Sequence, residues 1–190
     1  MAAVVPAAAP VAAPVPEPEA PVDPNDSKTV KLQSSDGTIF ETTWAAAKKS
    51  NTVRNLVENM NIFETEGEPK AIPLPNVNDK DIKKVLAWLE QHRDEVEPEY
   101  KEKVPPGDKN FEFPEWDKAY FEIETNEIFQ IILAANYLDI KRLLDFGCKK
   151  VASMIKGKTT EELRKTFNLP NDFTPEEEAQ IQKENAWCDD

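Results

Sequence analysis

The sequence predicts an α+β fold: a small sheet near the start of its patterned region, then helices to the end. Three observations carry this. A strand–turn–strand pattern opens at Thr29, a short proline-edged strand follows near Ile72, and helical periodicity dominates from Asn78 onward.

Residues 1–28 are expected as a Pro/Ala-rich tail, with seven prolines by position 24. Such a composition buries too little apolar surface to offset its ordering entropy, so extended, mobile chain is the expectation. From Thr29, Thr-Val-Lys-Leu-Gln alternates, Ser34-Ser-Asp-Gly37 is a turn, and Thr38-Ile-Phe-Glu-Thr resumes a strand. Residues 44–60 predict one helix, with Val53, Leu56, Val57 and Met60 at three- and four-residue steps. The prolines of Ala71-Ile-Pro-Leu-Pro75 place that strand at a sheet edge. Asn78 is suited to cap a helix with Ile82, Val85, Leu86 and Leu89 on one face.

Residues 92–115 read as a flexible, charged loop containing Pro98, Pro105, Pro106, Gly107 and Pro114. His92, at its edge, is expected on the surface. A short helix is predicted from Asp117 to Ile123, and a longer one from Asn126 to Leu138. The second is apolar nearly all round, through Ile128, Phe129, Ile131, Ile132, Leu133, Ala134 and Ala135, which predicts burial on every side. Asp139 is expected to cap the next helix, which runs through Lys156 and closes at Gly157. Thr160-Glu-Glu-Leu163 opens a further helix with acids at its positive end. Thr174-Pro175-Glu-Glu-Glu178 opens the last with a cap, a proline in the first turn and acids.

Composition excludes several functions. The 190 residues hold 23 basic and 36 acidic side chains, a net charge of −13. Phosphate binding needs a concentrated basic face, so no nucleic-acid partner is expected. No apolar run approaches the roughly 20 residues of a membrane span, so no membrane is expected either. Cys148 and Cys188 are too few for a disulfide framework and lack metal-ligand spacing, and one histidine does not make a zinc site or a triad. Glycines at 37, 67, 107, 147 and 157 form no phosphate-binding loop. Carboxylates are plentiful but accompany no nucleophile, base and oxyanion donor set. No enzyme, metal or cofactor is expected, and the composition fits a cytoplasmic and nuclear protein.

The last quarter of the chain is the most informative. Leu144, Cys148, Val151 and Ile155 recur at spacings of four, three and four, forming one apolar stripe. Within such a stripe Cys148 reads as a small structural hydrophobe rather than a reactive thiol. Leu163 and Phe167 mark the next short helix, Ile181 and Trp187 the last. These helices carry too little apolar surface to form a core of their own. They either fold back on their own domain or wrap a partner's helix, and spacing is compatible with both.

Several strings resemble the S-phase-kinase-associated adaptor family. They are Lys31-Leu-Gln-Ser-Ser-Asp-Gly37, Pro73-Leu-Pro-Asn-Val-Asn78, Ile132-Leu-Ala-Ala-Asn-Tyr-Leu-Asp-Ile-Lys141, Met154-Ile-Lys-Gly-Lys-Thr159 and Lys183-Glu-Asn-Ala-Trp-Cys188. They stand in the same order as in that family, and the resemblance extends over roughly residues 29–190. The resemblance implies a BTB/POZ-like domain over 29–157 and two F-box-binding helices over 158–190. It implies an adaptor that joins F-box proteins to a cullin inside SCF-type ubiquitin ligases. It further implies that the terminal helices wrap a partner, with Leu144, Cys148, Val151, Ile155, Leu163, Phe167, Ile181 and Trp187 on the F-box surface. Asn136 and Tyr137 match the pair that meets the cullin. Pro175 matches a proline that some unicellular members hydroxylate and glycosylate. The adaptor is expected to form at most a weak homodimer when no F-box is present. Rival readings are a self-associating BTB scaffold, which would form stable homo-oligomers, and an adaptor working outside ubiquitin ligases. The tail lies outside the family pattern, and residues 38–50 and 92–114 diverge from it.

Overall fold

The computed structural model describes residues 23–64, 70–95 and 113–185. Residues 1–22, most of the expected loop at 96–112, and the segment with Trp187 and Cys188 lie outside the described residues.

β1 (Thr29–Gln33) and β2 (Ile39–Thr43) form the expected antiparallel hairpin, with Leu32 opposite Phe40. Its turn needs Gly37, whose φ of +89° is left-handed. Alternation buries Val30 and Leu32. β3 (Ile72–Pro73) pairs parallel with β1, giving the order β2-β1-β3. At that edge the missing N–H of Pro73 costs no ladder bond.

The single helix expected over 44–60 is two: α1 (Trp44–Ala47) and α2 (Asn51–Asn59). Two caps cause the break. Thr43 accepts from the Ala46 N–H, and Ser50 accepts from the Val53 N–H, so the backbone restarts at Ser50. α3 (Asp79–Gln91) begins, as expected, at Asn78, whose side chain accepts from the Asp81 N–H. Ile82, Val85 and Leu89 are buried and Leu86 partly so, joined by Trp88, which the expected face omitted.

α4 (Glu115–Tyr120) starts two residues before the expected Asp117, which is fully buried inside it. α5 (Thr125–Tyr137), α6 (Lys141–Ile155), α7 (Thr160–Phe167) and α8 (Pro175–Glu184) complete the chain. Two expectations about this part are corrected. α5 is not buried on all sides: Ile128, Ile131, Ala134 and Ala135 face the core, while Phe129 is 38% and Leu133 61% exposed. Nor does Asp139 cap α6. It lies at φ +50° as the left-handed residue that closes α5, with its N–H donating to the Asn136 carbonyl and the Ile140 N–H to that of Ala135. This is a Schellman turn, which outcompeted a side-chain cap. Gly157, at φ +74°, closes α6 as expected.

α5 and α6 cross closely at Gly147. A Cβ there would stand 2.6 Å from Ile132 Cγ1, so only glycine admits this approach. The core joins Val30, Leu32 and Ile72 of the sheet to Ile82 and Val85 of α3, Ile131 of α5 and Leu143 of α6. Among the described residues no helix is long and apolar enough to cross a membrane.

Candidate partner-binding surfaces

The α6 stripe divides by depth. Leu144 and Val151 are half-buried against the core, whereas Cys148 is exposed and Ile155 is 44% exposed. Cys148 is therefore not an interior hydrophobe: α6 turns Leu143, Phe146 and Gly147 inward, and Cys148 sits beyond that arc. On α7, Leu163 and Phe167 are half-buried, and no side chain of the helix is fully buried. Phe167 lies 6.0 Å, centroid to centroid, from Phe129 of α5. Leu169, Phe173 and Ile181 are exposed large apolar side chains, as are Phe129 and Leu133. Sequence reading assigned Phe129 and Leu133 to the core. The signal available was that α5 is apolar on more sides than one sheet and two neighbouring helices cover.

Local interactions hold α7 and α8. Thr159 and Glu162 form a reciprocal capping box, as do Thr174 and Glu177. The Thr174 backbone N–H, with help from its hydroxyl, holds the Glu177 carboxyl below its ordinary range. Pro175 is exposed in the first turn of α8, where its missing N–H costs nothing. Arg164 of α7 reaches Glu178 of α8 at 3.0 Å and stands over the Phe173 ring at 5.6 Å. Asn171 donates to the same Glu178 at 3.2 Å. The two helices are thereby pinned to each other through polar contacts that leave their apolar side chains outside.

Asn136 and Tyr137 lie in the last turn of α5, the first exposed and the second half-buried. The start of α2 fixes this turn. Ser50 Oγ donates to the Leu138 carbonyl at 2.5 Å, and Thr52 Oγ1 donates to that of Tyr137 at 3.0 Å. Asn51 Nδ2 donates to Asp139 Oδ2 at 2.8 Å.

His92 is not the surface residue expected of it: it is 4% exposed. Its Nε2 is 3.1 Å from Asp117 Oδ1 and its Nδ1 is 2.9 Å from Glu95 Oε1. Trp88 Nε1 donates to the same Asp117 oxygen at 2.9 Å, and Arg142 of α6 pairs with Glu95. Ionised carboxylates only accept, so both histidine contacts are hydrogen bonds only when both ring nitrogens are protonated. Asp117, 25 residues from His92 and 29 from Trp88, gave no local signal of its part in this network. No hydroxyl or thiol nucleophile takes part in these contacts, so the network ties α3, α4 and α6 together without the parts of a triad.

Among the described residues no group of His, Cys, Asp or Glu is placed to hold a metal ion. A cleft of about 450 Å³, bounded by residues including Lys28, Trp44, Val57 and Phe63, contains none of the stripe residues.

The chain matches two models of one family. The Skp1 family tetramerisation domain matches residues 28–94, and the Skp1 family dimerisation domain matches residues 141–188. Among similar proteins, the "E3 ubiquitin ligase complex SCF subunit sconC" of Arthroderma benhamiae is 46% identical over 161 residues, covering 85% of this chain and 95% of its own length. The protein of the same description from Talaromyces marneffei is 47% identical over 164 residues, covering 86% of this chain and 99% of its own. The α+β arrangement of a small sheet and helices agrees with the POZ domain that the first model describes. With both family models matched and nearly half of all residues shared along most of the chain, this protein belongs to the Skp1 family.

Proposed function

We propose that the chain is a non-catalytic adaptor of SCF-type ubiquitin ligases, joining a cullin scaffold to F-box substrate receptors in cytoplasm and nucleus. One observation carries this reading. Helices α5–α8 and the link between α7 and α8 leave Phe129, Leu133, Ile155, Leu169, Phe173 and Ile181 exposed. An apolar surface built from several successive helices marks an interaction site rather than ordinary scatter. Leu144, Cys148, Val151, Ile155, Leu163, Phe167 and Ile181 form the F-box side of this reading, with Trp187 beyond the described residues. Asn136 and Tyr137 form the cullin side, where a ring and hydroxyl on a firmly held turn suit a compact contact.

A second reading is self-association through the same helices. The matched family model for residues 141–188 is described as a dimerisation domain. In this account a weak homodimer forms when the F-box is absent and dissociates when it binds.

Size-exclusion chromatography with light scattering, on the chain alone and mixed with an F-box domain, tests both. A one-to-one complex supports the adaptor. Homo-oligomers that ignore the F-box domain would favour the scaffold and remove the assignment of α6–α8.

A further inference from the structure

The charge of the chain is unevenly placed. Residues 141–169, which hold α6, α7 and the stripe from Leu144 to Phe167, carry eight Lys or Arg against three Asp or Glu, a local +5 within a total of −13. Part of this cationic set is engaged inside the fold: Arg142 with Glu95, Lys149 with Asp145, and Arg164 with Glu178. Lys156 and Lys158 are exposed, and among the described residues neither pairs with a carboxylate. They flank Gly157 immediately after Ile155, the large apolar residue that α6 leaves exposed. Lys158 Nζ donates to Thr166 Oγ1 at 2.9 Å, which holds its ammonium on α7 beside Phe167. Two cations thus stand where the apolar surface passes from α6 to α7.

Cations after the last turn of a helix also complement its macrodipole. That accounts for Lys156, whose N–H donates to the Ala152 carbonyl at the end of α6. It does not account for Lys158, whose side chain is held by the following helix.

We infer that the partner seated on this surface is edged with carboxylates that meet Lys156 and Lys158. The inference rests on the adaptor reading and adds the chemistry of the partner's rim. An acidic partner is repelled at long range by a body of net charge −13. Within a Debye length, about 8 Å at physiological salt, the local cations reverse that sign at one end of the stripe. Charge then sets which way round the partner lies, and a misoriented encounter brings carboxylates against carboxylates.

Stopped-flow association with an F-box domain tests this, using that domain and a version with its rim Asp and Glu changed to Asn and Gln. The chains compared are wild type, Lys156→Glu, Lys158→Glu and Lys118→Glu. Lys118 is exposed on α4, outside the stripe, so its reversal changes net charge equally on another element. At about 50 mM salt the first two variants should associate three- to tenfold more slowly on an order-of-magnitude view, converging with wild type near about 0.5 M. Lys118→Glu should stay within about twofold, and the neutralised F-box domain should lose the sensitivity altogether. Equal slowing by all three reversals, or slowing that persists at high salt, would overturn the inference and leave the adaptor reading intact. No complex with the wild-type chain would overturn both.

Discussion

Replacing Ser50 by alanine should cost far more than a hydroxyl on a small residue suggests. Ser50 is fully buried, and its oxygen does two things at once: it accepts the Val53 N–H at 3.1 Å and donates to the Leu138 carbonyl at 2.5 Å. Losing an N-cap costs about 1 kcal/mol. Leaving a buried carbonyl short of its donor costs a further ~1–3 kcal/mol. The lower half of that range applies, because the Thr52 N–H still reaches Leu138 O at 3.4 Å. The expected loss is therefore about 2–3 kcal/mol, or a fall in Tm of roughly 4–12 °C for a chain of this size. Urea unfolding should show a lower midpoint at unchanged slope. The damage lies on one side of the molecule, at the turn that carries Asn136 and Tyr137. Hydrogen exchange should accelerate there first, and cullin binding should weaken before F-box binding does. A loss below about 0.5 kcal/mol would refute the claim that Ser50 clamps α2 to α5.

Four further outcomes are expected. Gly147→Val should destabilise by about 2–3 kcal/mol in urea titrations, since its Cβ alone would meet the stiff, β-branched Ile132 at 2.6 Å; a neutral result would mean that α5 and α6 separate freely. Val151→Lys should weaken F-box binding by about 2 kcal/mol or more in titration calorimetry while the fold survives, because Val151 is only half-buried in the free chain. Asn136→Lys with Tyr137→Lys should weaken cullin binding and spare F-box binding; equal loss of both would indicate misfolding. Lys80 and Lys84 of α3 hold the Glu127 carboxyl down at about 2, against an ordinary value near 4.5. A depressed carboxyl stabilises the fold above its unfolded pKa and loses that contribution as pH falls from about 4.5 towards 2. Glu127→Gln should flatten the fall of the urea midpoint across that window, and an unchanged profile would count against the pairing.

What could be read directly from the sequence was whatever neighbouring residues decide among themselves. The hairpin at Gly37, the Asn78 cap, the Thr174-Pro175 start and the Gly157 stop all rest on partners a few residues apart, and all stand in the fold. The misreadings have another origin. Ser50 reads as an interior residue of one helix; its cap on Val53 is local, but the Leu138 carbonyl that fixes its side chain is 88 residues away. His92 looked superficial because Asp117 approaches from beyond the charged loop. α5 looked buried throughout because composition reports how much apolar surface exists, not how much of it the rest of the chain covers. The stripe of Cys148 leaves the same choice open, and there the thiol stands exposed. A stripe at helical spacing marks a face that is buried against something, and a partner is as good a candidate as the core.

The exposure of that stripe bears on how the terminal helices stand up at all. An eight-residue helix is marginal in water, and two capping boxes contribute only about a kcal/mol each. α7 buries none of its side chains fully, yet it is held at four points: the Thr159 box at its start, Lys158 on Thr166, Phe167 against Phe129, and Arg164 on Glu178 of α8. Each of these lies at an end or an edge of the helix, and none uses Leu163. The arrangement fixes the direction of α7 while leaving Leu163, and the outer side of Phe167, only half-covered. A helix held this way binds at less entropic cost than a disordered segment, and it remains weaker than the core beneath it. Substitutions under α5 should therefore appear in global unfolding, and substitutions along α7 and α8 chiefly in binding. The exposed apolar side chains are consistent with this: Phe129 and Leu133 stand on the firmly packed α5, whereas Leu169, Phe173 and Ile181 stand on and between the short, locally capped α7 and α8, so a partner that covers them all must span both the rigid body and the lightly held end of the chain.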